Sequence, residues 1–132
     1  MLTQEEAEDL MGKNFSRFYI VFLGRGPKTI KVHSVDNNVL VITQNDLSNG
    51  EKLLISTKSG NRIIKDMRKS LIESGEDELL KIVTKATLEN VNNFHHHFST
   101  KNGEEIFMFS LCDVPGYQLK NNKKGKYTSL VA

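Results

Sequence analysis

Two pairs of strand-like segments, each folded about a short polar turn and separated by a long stretch of helical periodicity, leave this chain few architectures. In the first pair Ile30, Val32 and Ser34 alternate with Lys31, His33 and Val35, and Asp36-Asn37-Asn38 leads into Val39-Leu40-Val41-Ile42. In the second, Val91 to Phe98 and Glu105 to Leu111 flank the turn Lys101-Asn102-Gly103. Alternation with period two marks strands with one buried face, and a short turn bearing Asn or Gly marks a hairpin. Because the strands come in pairs rather than singly between helices, the pattern predicts an α+β fold and argues against a doubly wound parallel sheet. The expected order is α-β-β-α-α-β-β, an antiparallel four-stranded sheet with helices packed on one face.

The helical segments carry their own start and stop signals. Ala7, Met11, Phe15, Phe18 and Phe22 recur at spacings of three and four, which puts them on one helix face. Thr3 with Glu6 forms a capping-box start, and Gly24 followed by Pro27 marks the stop. Arg17 to Leu23 is aromatic and β-branched and competes as a strand, but the capped stripe favours a helix. Ser48-Asn49-Gly50-Glu51 opens a second, long helix with Leu54, Thr57, Ile64, Met67 and Leu71 in register, interrupted near Ser59-Gly60. Ser74-Gly75 breaks it again before a third stripe of Leu79, Ile82, Val83 and Ala86. No internal repeat is present at solenoid periods.

Composition narrows the function classes more than it names one. At 132 residues the chain suits one domain, with 38% apolar and 26% charged residues, and is neither a disordered tail nor a membrane span. A single cysteine, Cys112, and an acidic start (Glu5, Glu6, Glu8, Asp9) lead to the expectation of a reducing cytoplasmic location. Net charge is +2, too small for a nucleic-acid coat, so no nucleic-acid partner is expected. The charge is uneven: from Asp113 onward the chain carries Lys120, Lys123, Lys124 and Lys126 against one acid. The sequence therefore reads as a single domain over 1–112 with a basic tail over 113–132, mobile from Gly116 to Ala132. Such a tail gives at most weak peripheral contact with an anionic membrane.

Three clusters are candidate sites. Gly24-Arg25-Gly26-Pro27-Lys28 lets the backbone turn tightly while Arg25 and Lys28 present cations, so with Arg68 it is the candidate for a small-anion or nucleotide site. Its order is helix, loop, strand, the reverse of a phosphate-binding loop, and the plain reading is a helix stop and turn. His95-His96-His97 is a weak metal candidate: on a strand His95 and His97 share one face, and only His33 and Cys112 offer further ligands where a zinc site needs three or four. Arg62, Arg68 and Lys69, with Asp66 placed to pair with Arg62, read first as a solvated helix face. No nucleophile elbow or carboxylate pair is placed by motif, and Cys112 after Leu111 reads as packed rather than reactive. Neither an enzyme nor a cofactor is expected.

The run Gly24-Arg25-Gly26-Pro27-Lys28-Thr29-Ile30-Lys31-Val32, then Leu47-Ser48-Asn49-Gly50-Glu51-Lys52-Leu53-Leu54, then Gly60-Asn61-Arg62-Ile63-Ile64-Lys65-Asp66-Met67-Arg68, resembles the MpsC-like family of small bacterial proteins. The family takes its name from a Na+-translocating membrane-potential-generating system. The similarity spans about residues 5–112 and departs from the pattern at Ser48-Asn49-Gly50, where Thr-Pro and a small residue are usual, and at His97, where an acid is usual. The resemblance implies a soluble accessory or regulatory protein without catalytic residues, serving a membrane cation or bicarbonate transport complex through protein contact. The alternative is the anion module built on the Gly24 to Lys28 turn. A homodimer is expected, because a terminal strand such as Glu105 to Leu111 either is covered or pairs across a two-fold axis.

Overall fold

A computed structural model describes residues 1–118. The elements run α1 (Gln4–Leu23), β1 (Thr29–Val35), β2 (Asn38–Gln44), α2 (Asn49–Leu54), α3 (Lys58–Ser74), α4 (Glu76–Thr87), β3 (Val91–Phe98) and β4 (Glu104–Leu111). This is the expected α+β order, with the second helix divided into α2 and α3. The four strands form one antiparallel sheet in the order β1-β2-β4-β3. β4 is thus internal, paired on both sides, and the edges are β1 and β3. The premise that Glu105 to Leu111 forms an edge is corrected: the second hairpin docks onto β2 through its later strand.

α1 forms where its caps and stripe agree. Thr3 Oγ1 accepts from the Glu6 amide at 3.2 Å, and Glu6 Oε1 accepts from the Thr3 amide at 2.9 Å. Ala7, Met11, Phe15, Phe18 and Tyr19 are buried along one face, as the spacing predicts. They meet Val39 and Val41 of β2 and Phe107, Phe109 and Leu111 of β4 in one core, which α4 extends with Leu79, Val83 and Ala86. Phe15 lies 5.4 Å from the Phe107 ring and 5.9 Å from Phe109.

The break in the second helix falls at residues 55–57, ahead of the expected Ser59-Gly60. Thr57 caps α3 by accepting from the Gly60 amide at 3.0 Å, and that cap places Gly60 inside the first turn. A Cβ on Gly60 would lie 1.9 Å from the Leu54 carbonyl oxygen, so the glycine permits the close crossing of α2 and α3. The inward stripe of α3 also differs from expectation. Ile64 and Ile72 are buried and Arg68 sits half-buried between them, whereas Met67 and Leu54 stand exposed. Short α2 gives the chain a corner that rotates α3 relative to a continuous helix.

The beginning of the assigned tail belongs to the body. Pro115, Tyr117 and Gln118 are buried, with Tyr117 Oη 2.9 Å from Ser34 Oγ and Gln118 Nε2 donating to the Ser34 carbonyl at 2.6 Å. Packing therefore continues at least to Gln118, and the mobile reading of 119–132 lies outside the described residues. Among the described residues no helix is long and apolar enough to cross a membrane.

Candidate functional site

One carboxylate stands on the buried face of the sheet. β4 alternates Glu105, Phe107, Phe109 and Leu111 toward the helices, and Glu105 is fully buried there. An ionised carboxylate in such a place costs several kcal/mol unless it is paired, and three side chains from three elements supply the pairing. Arg68 of α3 donates from Nη1 to Oε1 at 3.1 Å. His96 of β3 approaches Oε2 through Nε2 at 2.6 Å. Tyr19 of α1 donates its hydroxyl to Oε1.

The hydrogen bonds around Tyr19 have one consistent direction. Its proton goes to Glu105, so its oxygen accepts from Thr43 Oγ1 at 2.7 Å. Thr43 Oγ1 in turn accepts from Asn45 Nδ2 at 3.0 Å. Burial, followed by the neighbouring Glu105 charge, pushes the Tyr19 hydroxyl far above the ordinary phenol range and keeps it a proton donor. The Arg68 guanidinium lies 4.4 Å above the Phe98 ring, which fixes its second face. With both Glu105 oxygens engaged, the arrangement holds charge in place and ties α1, α3, β3 and β4 together.

The groups that hold Glu105 open onto two hollows. Tyr19 and Arg68 border a cleft of about 290 Å³ whose rim includes Arg25, Gly26, Asp46 and Glu51. His96 borders another of about 410 Å³, with Lys65, Lys69, Glu73 and Glu76. The first brings Arg25, Gly26 and Arg68 together as the anion reading requires, but it does not include Gly24, Pro27 or Lys28 in its lining. Arg25 donates from Nη2 to the Asp46 carbonyl, bracing the loop before α2. Gly24 stops α1 at φ +85, with its amide donating to the Ile20 carbonyl at 3.1 Å.

The histidine run divides as strand alternation predicts. His96 turns inward to Glu105, while His95 and His97 lie exposed on the other face. His33 shares that outer face, but β2 and β4 stand between it and His95. Cys112 lies just past β4 and is exposed, correcting the packed reading, because the strand ends at Leu111. Among the described residues no group of three His, Cys, Asp or Glu side chains is placed to hold a metal. Arg62 is exposed and is not among the ion pairs of the described residues, whereas Arg68 leaves the solvated face altogether.

Residues 3–113 match the family described as "Na+-translocating membrane potential-generating system (MpsC)". The chain belongs to the MpsC family. A Bacillus subtilis (strain 168) relative, "Uncharacterized protein YbcI", is similar to it, 31% identical over 106 residues that cover 80% of this chain and 86% of the relative. No solved structure matches. The MpsC match takes in Tyr19, Arg68, His96 and Glu105, so the whole Glu105 centre lies within the family's span.

Sequence reasoning found Arg68 for another role and missed Tyr19, His96 and Glu105 as a set. A signal was available in the stripes. Each of the four lies on the apolar face of its element: Tyr19 beside Phe15 and Phe18, Arg68 between Ile64 and Ile72, His96 between Phe94 and Phe98, Glu105 in line with Phe107. Buried ionisable groups seek partners of opposite charge.

Proposed function

We propose that this MpsC protein is a non-catalytic accessory or regulatory component of a Na+-translocating, membrane-potential-generating system, acting from the cytoplasm by direct protein contact. The observation that carries the reading is the face of the sheet opposite the helices. There Leu40, Ile42, Ile106 and Met108 form an apolar centre that no described element covers. The family's description supplies a Na+-translocating system, and the proposed setting is a membrane cation or bicarbonate transport complex. The non-catalytic part is supported by Glu105, whose two oxygens are both committed to other side chains. In this reading the chain also pairs with a second copy along the β3 edge, where a bulge between Val91 and Asn93 limits pairing to the later residues.

Deleting the gene is expected to lower the membrane potential reported by a potential-sensitive dye, and purified protein is expected to bind a component of the transport complex in solubilised membranes. An unchanged potential together with no binding would sink the proposal. Light scattering reports the dimer as twice the chain mass.

A small-anion module is the second reading, favoured by the cleft that joins Arg25 and Arg68. The charge count weighs against it, since Asp46 and Glu51 line the same cleft and Arg68 already serves Glu105. A thermal-shift panel of nucleotides, phosphate and bicarbonate decides the matter. Ligand at a hundred times its Kd stabilises by about 2.7 kcal/mol, so a true site shifts the transition by several degrees and Arg25→Ala removes the shift. A flat panel leaves the turn as architecture.

A further inference from the structure

Between α1 and α4 runs an open groove of about 510 Å³, a size within the range of small-ligand sites. Its apolar lining comes from Phe18, Val21 and Phe22 on α1 and Ile82 on α4. Phe18 is buried and stacks on Phe22 with centroids 4.3 Å apart, Phe22 and Ile82 are half-buried, and Val21 is 77% exposed. Arg17, Lys81 and Lys85 border this floor against one acid, Glu78. Glu78 pairs with Lys81 at 3.7 Å, whereas Arg17 and Lys85 make no ion pair or side-chain hydrogen bond among the described residues. The groove has two unlike ends because the helices run antiparallel. Near the start of α1 the Glu8 carboxylate accepts from the Ser34 amide at 2.8 Å. α4 leads into Val91 in the same corner of the sheet, where its strand partner Leu111 donates to the Asn37 carbonyl at 2.7 Å. At the other end Gly75, the N-cap of α4, lies against Phe18 and Phe22. Lys85 is thereby drawn towards Asn14 and Arg17, and Glu78 towards Val21 and Phe22. One end gathers two uncommitted cations and an amide; the other is hydrocarbon beside a Glu78–Lys81 pair that neutralises itself. α1 follows the groove from Asn14 to Phe22 for about 12 Å.

We propose that this groove binds a single-chain anionic amphiphile as a monomer, its carboxylate or phosphate head at Arg17 and Lys85 and its hydrocarbon chain over Val21, Phe22 and Ile82. The site goes beyond the contact reading above and stands or falls without it. Covering the exposed side chains removes apolar surface from water at about 25 cal/mol per Å², and the guanidinium fork of Arg17 matches either head with paired N–H donors. A cationic or uncharged head would leave both free cations unused. A flat anionic bilayer fits the same face less well than a monomer. Glu76 and Asp77 stand exposed on the turn of α4 that holds Glu78, and Asp77 lies one turn from Lys81. A bilayer pressed on the rim meets these acids too, and they offset the lysines, whereas a monomer inside the groove does not. The residues after Gln118 carry four lysines and no acidic side chain, the wrong sign for Arg17 and Lys85.

Isothermal titration of the full-length protein with sodium dodecanoate and with dodecyl phosphate, each below its micelle concentration, tests the site. Dodecyltrimethylammonium and dodecyl maltoside present the same chain on a cationic and an uncharged head. The expected result is saturable binding of an anionic amphiphile, tighter than either control by about tenfold or more, with amide NMR shifts centred on Arg17 to Phe22 and Lys81 to Lys85. The tighter of the two anions identifies the head as carboxylate or phosphate. Combining Arg17→Glu with Lys85→Glu is expected to weaken both anions by about tenfold or more and to strengthen dodecyltrimethylammonium. Val21→Asp, which sets a charge under the chain, weakens the anions as well. All three positions are exposed, and circular dichroism verifies that the variants are folded. Equal binding of all four amphiphiles, or anion binding that survives the charge reversal, shows apolar adsorption and overturns the proposal. No binding, shifts centred elsewhere, or binding to phosphatidylglycerol vesicles without binding to the monomers overturns it too. So does a dimer whose dilution moves these same amides, because a second copy then fills the groove. None of these results touches the contact reading, which the membrane potential of the deletion strain decides separately.

Discussion

Arg68→Ala is expected to destabilise the protein by about 3–5 kcal/mol, because it strands a fully buried carboxylate. Domains of this kind are stable by only about 5–15 kcal/mol in total, so the loss is a large part of what holds the fold. The guanidinium is not a surface ornament: it donates to Glu105 Oε1 at 3.1 Å, packs over Phe98, and sits between Ile64 and Ile72. Once it is gone, Glu105 retains Tyr19 and His96 but no permanent cation. Urea unfolding measures the effect. The mechanism adds a second requirement. Glu105→Gln removes the charge that Arg68 neutralises, so adding Arg68→Ala to it is expected to cost clearly less than Arg68→Ala alone. Strict additivity of the two substitutions, or a loss below about 1 kcal/mol for Arg68→Ala, would show that the pair does not act as a buried unit.

That centre also marks where sequence reading stops. The architecture was accessible because its signals are local: the Thr3-Glu6 box, the stripe from Ala7 to Phe18, and two alternating pairs about polar turns each act within a few residues. Which strand becomes an edge is not local. β4 sits inside the sheet because its alternating Phe107 and Phe109 meet both β2 and the underside of α1, a choice made by packing between distant segments. The Glu105 centre is further from reach, since Tyr19, Arg68, His96 and Glu105 come from four elements and no spacing joins them. What a sequence does show is the anomaly in each stripe, an ionisable group where an apolar one belongs. Reading Arg68 as part of an exposed cationic face grouped it with Arg62 and Lys69 by charge; by spacing it stands four residues from both Ile64 and Ile72, on the face of α3 that packs inward, where it meets Glu105. The Gly24 to Lys28 turn was legible as a helix stop, and the join of Arg25 to Arg68 across one cleft appears only after folding.

The apolar half of the same junction predicts a loss of similar size from a different cause. Phe15 is completely buried and touches both Phe107 and Phe109, so it is an apolar contact through which α1 grips the inner strand β4. Phe15→Ala is expected to destabilise by about 3–5 kcal/mol, combining lost transfer energy with a cavity that two flanking rings collapse into only partly. Phe15→Leu retains most of the volume and is expected to cost less, about 1.5 kcal/mol or under. Val21→Ala, on the exposed side of α1, is expected to stay within about 0.5 kcal/mol and calibrates the helix itself. These three variants separate packing from helix propensity in one urea series. Because Tyr19 lies one turn further along α1, a shift of the helix into the Phe15 cavity would also move its hydroxyl from Glu105. Phe15→Ala and Arg68→Ala are therefore expected to be less than additive when combined, since the first already loosens the centre that the second dismantles. Full additivity would mean that the aromatic core and the Glu105 centre stabilise the α1–sheet junction independently.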